Sequence, residues 1–268
     1  WLNCNPESPA HFVKVELIDK AAEKGICCLH FTMDDNLTLS PEKKAWYYRM
    51  YTGVFYRRFI LGEWALTDGL VYQQFADVPE HYTLDAAPVI QYAVIGVDFG
   101  GTGSAHSFSL VGFTAGFRTV VLLDEYYHNN KTDGILSPSE LNRDFVAFVR
   151  RARSRFRVYE ARCDSAEQTL IEGLRVAAVK AGLGIDIRNA VKGPINDRIA
   201  FFNSMIAQER FFLLRGCVNT RKAMCEAVYD SKRVTEDIRL DNGTTNIDSL
   251  DSMEYAVEPV MHDILYLG

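Results

Sequence analysis

The sequence predicts an α/β protein, a mixed sheet flanked by helices on both faces. Three observations carry that prediction. Strand-like runs at 91–98, 106–114 and 118–127 lie close enough in the chain to meander, and after them helical and strand-like segments alternate. The first of these runs also ends in a carboxylate, Asp98, set against the glycine-rich turn Phe99–Ser104.

The elements follow in order. A helix is expected over Phe12–Ala22, a strand over Ile26–Phe31, and a helix with Ser40 as its N-cap and Pro41 in its first turn. Thr52 and Gly53 should break that helix, and Val54–Leu61 starts another. Beyond the three meandering strands, 139–155 places Leu141, Phe145, Phe148 and Val149 on one helical face. A strand at 157–163 leads into a helix at 166–182, striped by Leu170, Leu174, Ala177, Ala178 and Ala181, with Ser165 and Gln168 spaced as a capping box. Strand 185–187, helix 195–208, strand 211–214, helix 219–230 and a last helix from about 246 complete the series. The composition changes near Pro88, so residues 1–85 read as the end of one domain plus a linker, and 86–268 as a domain of their own.

With 268 residues and 48% apolar content the chain can bury a sizeable core. No run reaches the roughly 20 apolar residues of a membrane span, and the start at Trp1 without an initiator Met is expected of a piece of a longer protein. Six cysteines without a CxxC pair indicate neither a zinc site nor a disulfide framework, which fits a reducing compartment. A net charge of −6 argues against an indiscriminate nucleic-acid coat, but not against an acidic metal site beside local basic patches. Arg143, Arg150, Arg151, Arg153, Arg155 and Arg157 cluster, either as a solvated helix face or as a contact to a DNA backbone.

Asp98, Asp164 and Asp248 are the candidate site residues. Each has a plain structural reading taken alone: turn chemistry for Asp98, a helix-dipole contact for Asp164, and a first-turn acid beside a Thr245 or Asn246 cap for Asp248. Together, two strand ends and a helix start suggest a carboxylate cluster for hard divalent cations. Asp251 lies three residues beyond Asp248, so both share a helical face with Tyr255. Two-metal phosphodiester hydrolysis needs cations about 3.5–4 Å apart, with one carboxylate bridging them and others behind each. Asp98 is the natural bridge, with Asp164 and Asp248 as flanking ligands.

At this point the sequence resembles the large subunit of tailed-bacteriophage terminase, over nearly the whole chain. The motifs are Gly96–Gly100, Cys163–Ser165 and Asn246–Ala256, in that order. Arg58–Trp64, running on to Gly69–Tyr72, is similar to the family's linker, and Asn3–Ser8 to the coupling segment near the end of its ATPase domain. The resemblance implies a ribonuclease-H-like nuclease over 86–268 that uses two Mg²⁺ or Mn²⁺ ions to cut concatemeric double-stranded DNA during genome packaging. Its catalytic acids match Asp98, Asp164 and Asp248, with Asp251 as a further metal ligand. It further implies Lys192 and Arg198, flanking Gly193 and Pro194, as DNA-backbone contacts, with an ordinary exposed loop as the alternative reading of that stretch. Portal protein and terminase small subunit are implied as partners, and the host cytoplasm as location, with transient docking at the procapsid portal. No GxxxxGK[ST] motif occurs, so the chain is not expected to hydrolyse ATP by itself.

Three other readings compete. Val97–Thr102 imitates the first phosphate loop of a sugar-kinase or chaperone-type ATPase, but neither a second such loop nor an adenosine-binding glycine pair follows. A non-catalytic module that binds DNA or portal through a degenerate nuclease fold would not need three acids at these sites. A transposase or junction resolvase would use the same acids but not the terminase-like N-terminal segment.

Overall fold

The computed structural model describes residues 1–51, 53–65, 69–230, 239–241 and 247–267. The expected break at Thr52 and the Thr245 and Asn246 cap lie outside those residues. Seven strands form one sheet: β1 (Thr83–Leu84), β2 (Tyr92–Asp98), β3 (Ala105–Phe113), β4 (Val120–Asn129), β5 (Val158–Cys163), β6 (Asp186–Asn189) and β7 (Phe211–Leu214), in the spatial order β1-β7-β4-β3-β2-β5-β6. The central β2-β3-β4 meander is antiparallel, while β5 and β6 on one side and β7 and β1 on the other join in parallel. The sheet is mixed, as the sequence predicts.

The described helices are α1 (Ala21–Lys24), α2 (Pro41–Met50), α3 (Gly53–Phe59), α4 (Gln73–Asp77), α5 (Pro138–Arg153), α6 (Gln168–Lys180), α7 (Ile195–Ala207), α8 (Val218–Glu226), α9 (Ile247–Val257) and α10 (Met261–Leu267), with α5 on one face of the sheet and α9 on the other. α5 begins at a capping box in which Ser137 and Glu140 exchange hydrogen bonds, and it buries the stripe Leu141, Phe145, Phe148, Val149 and Ala152. That stripe meets Phe108, whose ring stacks 4.6 Å from Tyr126 and meets Phe145 edge-on at 5.5 Å. Every residue of β3 is buried, with Phe108 and Leu110 turned to the α5 side and Ser107 and Ser109 alternating with them on the other.

The other face is held by α9. Asp98 and Gly96 lie opposite Ser107 and Ser109 on β3, so these four share a face. Ser252 of α9 reaches down to both hydroxyls, 2.9 Å from Ser107 and 2.7 Å from Ser109. A Cβ on Gly96 would stand 1.7 Å from the Ser252 carbonyl oxygen. The helix therefore rests its backbone on a strand that has no side chain at the point of contact, and α8 and α4 continue the layer beside it.

Three local expectations need correction. The helix expected over Phe12–Ala22 is a wide turn of π-helix at Val13–Ile18 followed by the short α1, and none of its residues is buried. Ile26–Phe31 forms no strand; it finds no pairing partner among the described residues, and Leu29 and Phe31 are exposed. Ser165 does not cap α6: its carbonyl accepts from the Gln168 side chain, and the residue at the N-cap position is Glu167.

Residues on the near side of the Pro88 neighbourhood pack on the same sheet as those beyond it. β1 pairs with β7, Val71 N–H donates to the Ala227 carbonyl, and Tyr72, Phe75 and Tyr82 are fully or almost fully buried in the common core.

Replacing Gly96 with Ala should cost more than about 3 kcal/mol of stability, because the clash is with backbone and no rotamer relieves it. Denaturant unfolding of G96A against the parent checks this; a loss below about 1 kcal/mol would mean that α9 does not need so close a seat.

Candidate active site

Three adjacent parallel strands deliver the candidate residues to one end of the sheet. Asp98 is the last residue of β2, Asp164 follows β5, and Lys192 lies three residues past β6. The backbone ties these ends together: Asp164 N–H donates to the Val97 carbonyl at 2.9 Å and Ala190 N–H to the Cys163 carbonyl at 2.7 Å. The crevice outside the carboxyl ends of strands is where open α/β sheets bind ligands. Here β2 and β5, parallel neighbours, end side by side.

α9 supplies the rest from above. Asp248, in its first turn, accepts a hydrogen bond from Ala105 N–H at 3.2 Å, which fixes the acid against the start of β3. The turn between β2 and β3 is itself braced. Buried Asn130 donates to the Gly101 carbonyl at 2.9 Å, Gly101 N–H donates to Ser104 Oγ at 2.8 Å, and Gly100 N–H donates to His106 Nδ1 at 3.2 Å. Gly100 is required there, since a Cβ would lie 2.5 Å from the Ala105 backbone carbon.

The electrostatics follow from burial and crowding. Asp98 is 8% exposed, and its carboxyl is pushed well above the usual range by burial first, then by Asp251, Asp248 and Asp164, with Lys192 opposing. Burial likewise pushes Asp248 up to about 6, against the Ala105 hydrogen bond, with Asp241 and Asp251 adding to the rise. The Tyr255 phenol is raised by burial and then by Asp251, Asp98 and Asp164. Asp98 thus lies within electrostatic reach of the other three candidate acids. Their oxygens do not close into a ligand set: among the described residues no three His, Cys, Asp or Glu side chains are arranged to hold a metal ion. The donors are nonetheless all hard carboxylate oxygens with excess negative charge, the type that divalent Mg²⁺ or Mn²⁺ takes.

Two acids already have cations of the protein's own. Lys192 Nζ is ion-paired with Asp164 Oδ1, and Arg239 Nη2 lies 2.6 Å from Asp251 Oδ1. Asp164 also accepts from Ala166 N–H at 2.8 Å, a local contact ahead of α6. Lys192 sits at φ +55°, an uncommon conformation for a side-chain-bearing residue. Its amide and that of Gly193 both donate to the Glu258 carboxylate, the former at 2.9 Å.

Arg198 is corrected as a surface contact. It is 7% exposed, its guanidinium faces Glu254 at 3.3 Å and the Tyr255 ring at 5.5 Å, and it stands on the inner side of α7. Sequence reasoning overlooked Glu254 and Arg239. Glu254 was within reach, three residues beyond Asp251 and so on the same helical face. Arg239, distant from every motif, carried no such signal.

A three-stranded antiparallel meander extended by parallel strands, with acids at its carboxyl end and a helix crossing it, defines a ribonuclease-H-like α/β protein. No protein-family model matches the sequence, and no curated protein does. Among solved structures, the large terminase of a thermophilic bacteriophage, in its second crystal form, is 30% identical, matches 97% of this chain and superposes with a TM-score of 0.84. The P22 large terminase nuclease domain shares the fold, at 13% identity over 73% of this chain and 97% of its own length, with a TM-score of 0.53. So does the large terminase nuclease from thermophilic phage G20c, at 15% identity over 70% of this chain and 97% of its own, with a TM-score of 0.50. The chain belongs to the phage large-terminase family. It spans 61% of the length of the 30%-identical large terminase.

The Asp248 shift has a consequence for stability. A carboxyl whose folded pKa is raised contributes stability that is present below its unfolded value, near 3.8, and lost as pH rises through about 6. Without divalent metal, D248N should therefore be more stable than the parent at pH 7, by roughly 1 kcal/mol after allowance for solvent screening, and show no gain at pH 4. Thermal melts at the two pH values in EDTA check it; equal melting temperatures at pH 7 would refute the raised Asp248 carboxyl.

Proposed function

We propose that this chain is the metal-dependent endonuclease part of a DNA-packaging terminase, cutting concatemeric double-stranded viral DNA. The observation that carries the reading is the crowding of Asp98 by Asp251, Asp248 and Asp164 at the carboxyl ends of β2 and β5, in a member of the large-terminase family. Residues 86–268, with β1 and α4 packed on the same sheet, are assigned to the nuclease body. The preceding residues are assigned to the tail of an ATPase domain and its linker. No nucleotide-hydrolysing role is assigned, because the chain holds no GxxxxGK[ST] loop.

Asp98 is the proposed bridging ligand, Asp164 and Asp248 the flanking ones, and Asp251 lies beside them. A pair of Mg²⁺ or Mn²⁺ ions bound there would activate water and stabilise the leaving oxygen of a phosphodiester. The chain's own groups prepare the site. Asp98 is fixed by its strand and shielded from water, and Asp248 is oriented by the Ala105 amide. Lys192, its side chain 36% exposed, is a flexible point charge at the solvent edge that can turn from Asp164 to a DNA phosphate. Arg198 is assigned no DNA contact. Portal protein and the terminase small subunit are the proposed partners, and the host cytoplasm, with docking at the procapsid portal, the proposed location. No described helix is long and apolar enough to cross a membrane.

Plasmid DNA incubated with the chain should be nicked and linearised in Mg²⁺ or Mn²⁺ and untouched in EDTA. D98A should abolish cleavage by at least about 100-fold while folding normally, since it removes a crowded charge rather than a cap. Cleavage that survives EDTA, or no cleavage in either metal, would end the nuclease reading.

The acids of α9 should differ in importance. D248N should remove nearly all activity, while D251N should weaken it mainly through the metal concentration required. Titrating Mn²⁺ against cleavage rate for the two variants checks this; a dead D251N beside a normal D248N would reverse the assignment.

A further inference from the structure

Behind the acids lies a second charged assembly with no opening to solvent. Glu254, fully buried in α9, receives Arg239 Nη1 at 2.5 Å and the Tyr72 hydroxyl at 3.2 Å, and Arg198 Nε stands 3.3 Å from its other oxygen. Arg239 is itself 2% exposed, and its second terminal nitrogen holds Asp251. One guanidinium thus forks across two acids spaced three apart on one helix, Glu254 in the core and Asp251 at the rim of the carboxylate cluster. A planar fork suits such a double contact, which an ammonium cannot make.

The two protein cations in the site are therefore not equivalent. Lys192 holds Asp164 from a partly exposed, flexible stem, so the pair can open at little cost. Arg239 bridges Asp251 at the rim to Glu254 in the core, so displacing it disturbs a contact to a fully buried carboxylate, a cost that the Lys192 pair does not carry.

We infer that Arg239 is a positioning residue that holds Asp251 back from direct ligation, tying it to Glu254 so that Asp98, Asp164 and Asp248 ligate the ions directly while Asp251 acts on them through water. The inference rests on the nuclease reading for its purpose, but not for its test. Freed of Arg239, Asp251 adds a full negative charge beside Asp98 and draws a divalent cation more strongly.

The probe is Mn²⁺ alone, titrated calorimetrically into the full chain without DNA, with a thermal melt of each variant. R239M/E254Q removes the Arg239–Glu254 pair together, and R198M is added so that no buried cation is left without its acid. The fold is then kept while Asp251 is released. This triple variant should bind Mn²⁺ roughly tenfold more tightly than the parent, and adding D251N should cancel the gain. If the triple variant does not fold, R239K replaces it; it keeps the charge but not the fork, and should tighten binding by about threefold, again reversed by D251N. A purely structural Arg239 would move the melting temperature and leave Mn²⁺ affinity alone, and that result overturns the inference, as does a gain that survives D251N. Cleavage by the parent separates the two readings. A parent that cuts DNA while its variants show no gain sinks this inference alone, and a parent that never cuts while the gain appears sinks only the nuclease reading.

Discussion

Everything at the acidic end of this protein depends on how closely α9 can approach the sheet. The distance is set by an absence: Gly96 presents no side chain where the Ser252 carbonyl comes down. Hydroxyls from Ser107 and Ser109 then meet Ser252 and give the contact direction as well as proximity. A larger residue at any of these positions would lift the helix and carry Asp248 away from the strand ends. The site is thus a product of packing, and its precision is that of backbone against backbone.

The second organising fact is charge in a place with little water to relieve it. Four carboxylates share one end of the sheet, and the innermost, Asp98, holds its proton more tightly for it. The protein answers with two cations of different kinds, a lysine near solvent and an arginine sealed in the core. Their different exposure divides the acids into one group whose partner can turn away and another whose partner is anchored in the core. Residual repulsion at such a site is a store of energy that a suitable ligand releases.

Much of this was legible in the sequence. Apolar runs and their spacing foretold all seven strands except β1, because six are long enough, or bounded clearly enough by turns, to leave a pattern. Thr83–Leu84, two residues long, has none. Asp98, Asp164, Asp248 and Asp251 could be singled out because glycine turns and helix starts mark where a chain reverses. Ile26–Phe31 misled for a physical reason: β-propensity describes fitness for a pleated surface, and no neighbouring strand is there among the described residues to complete one. Arg198 misled because the nearby Gly193 and Pro194 suggest an exposed loop, whereas it lies one turn inside α7, on the face that turns inward. Arg239 was invisible, since only the folded chain brings it to Asp251 and Glu254.

The Glu258 carboxylate, just past the end of α9, grips the amides of Lys192 and Gly193. One helix thereby carries an acid of the cluster at its head and, through a two-pronged clasp at its tail, steers the loop that bears the cluster's exposed cation. If α9 rocks on its glycine fulcrum, Asp248 and the Lys192 loop travel as one linkage. The balance of charge at the mouth is thus geared to the tilt of a single rod.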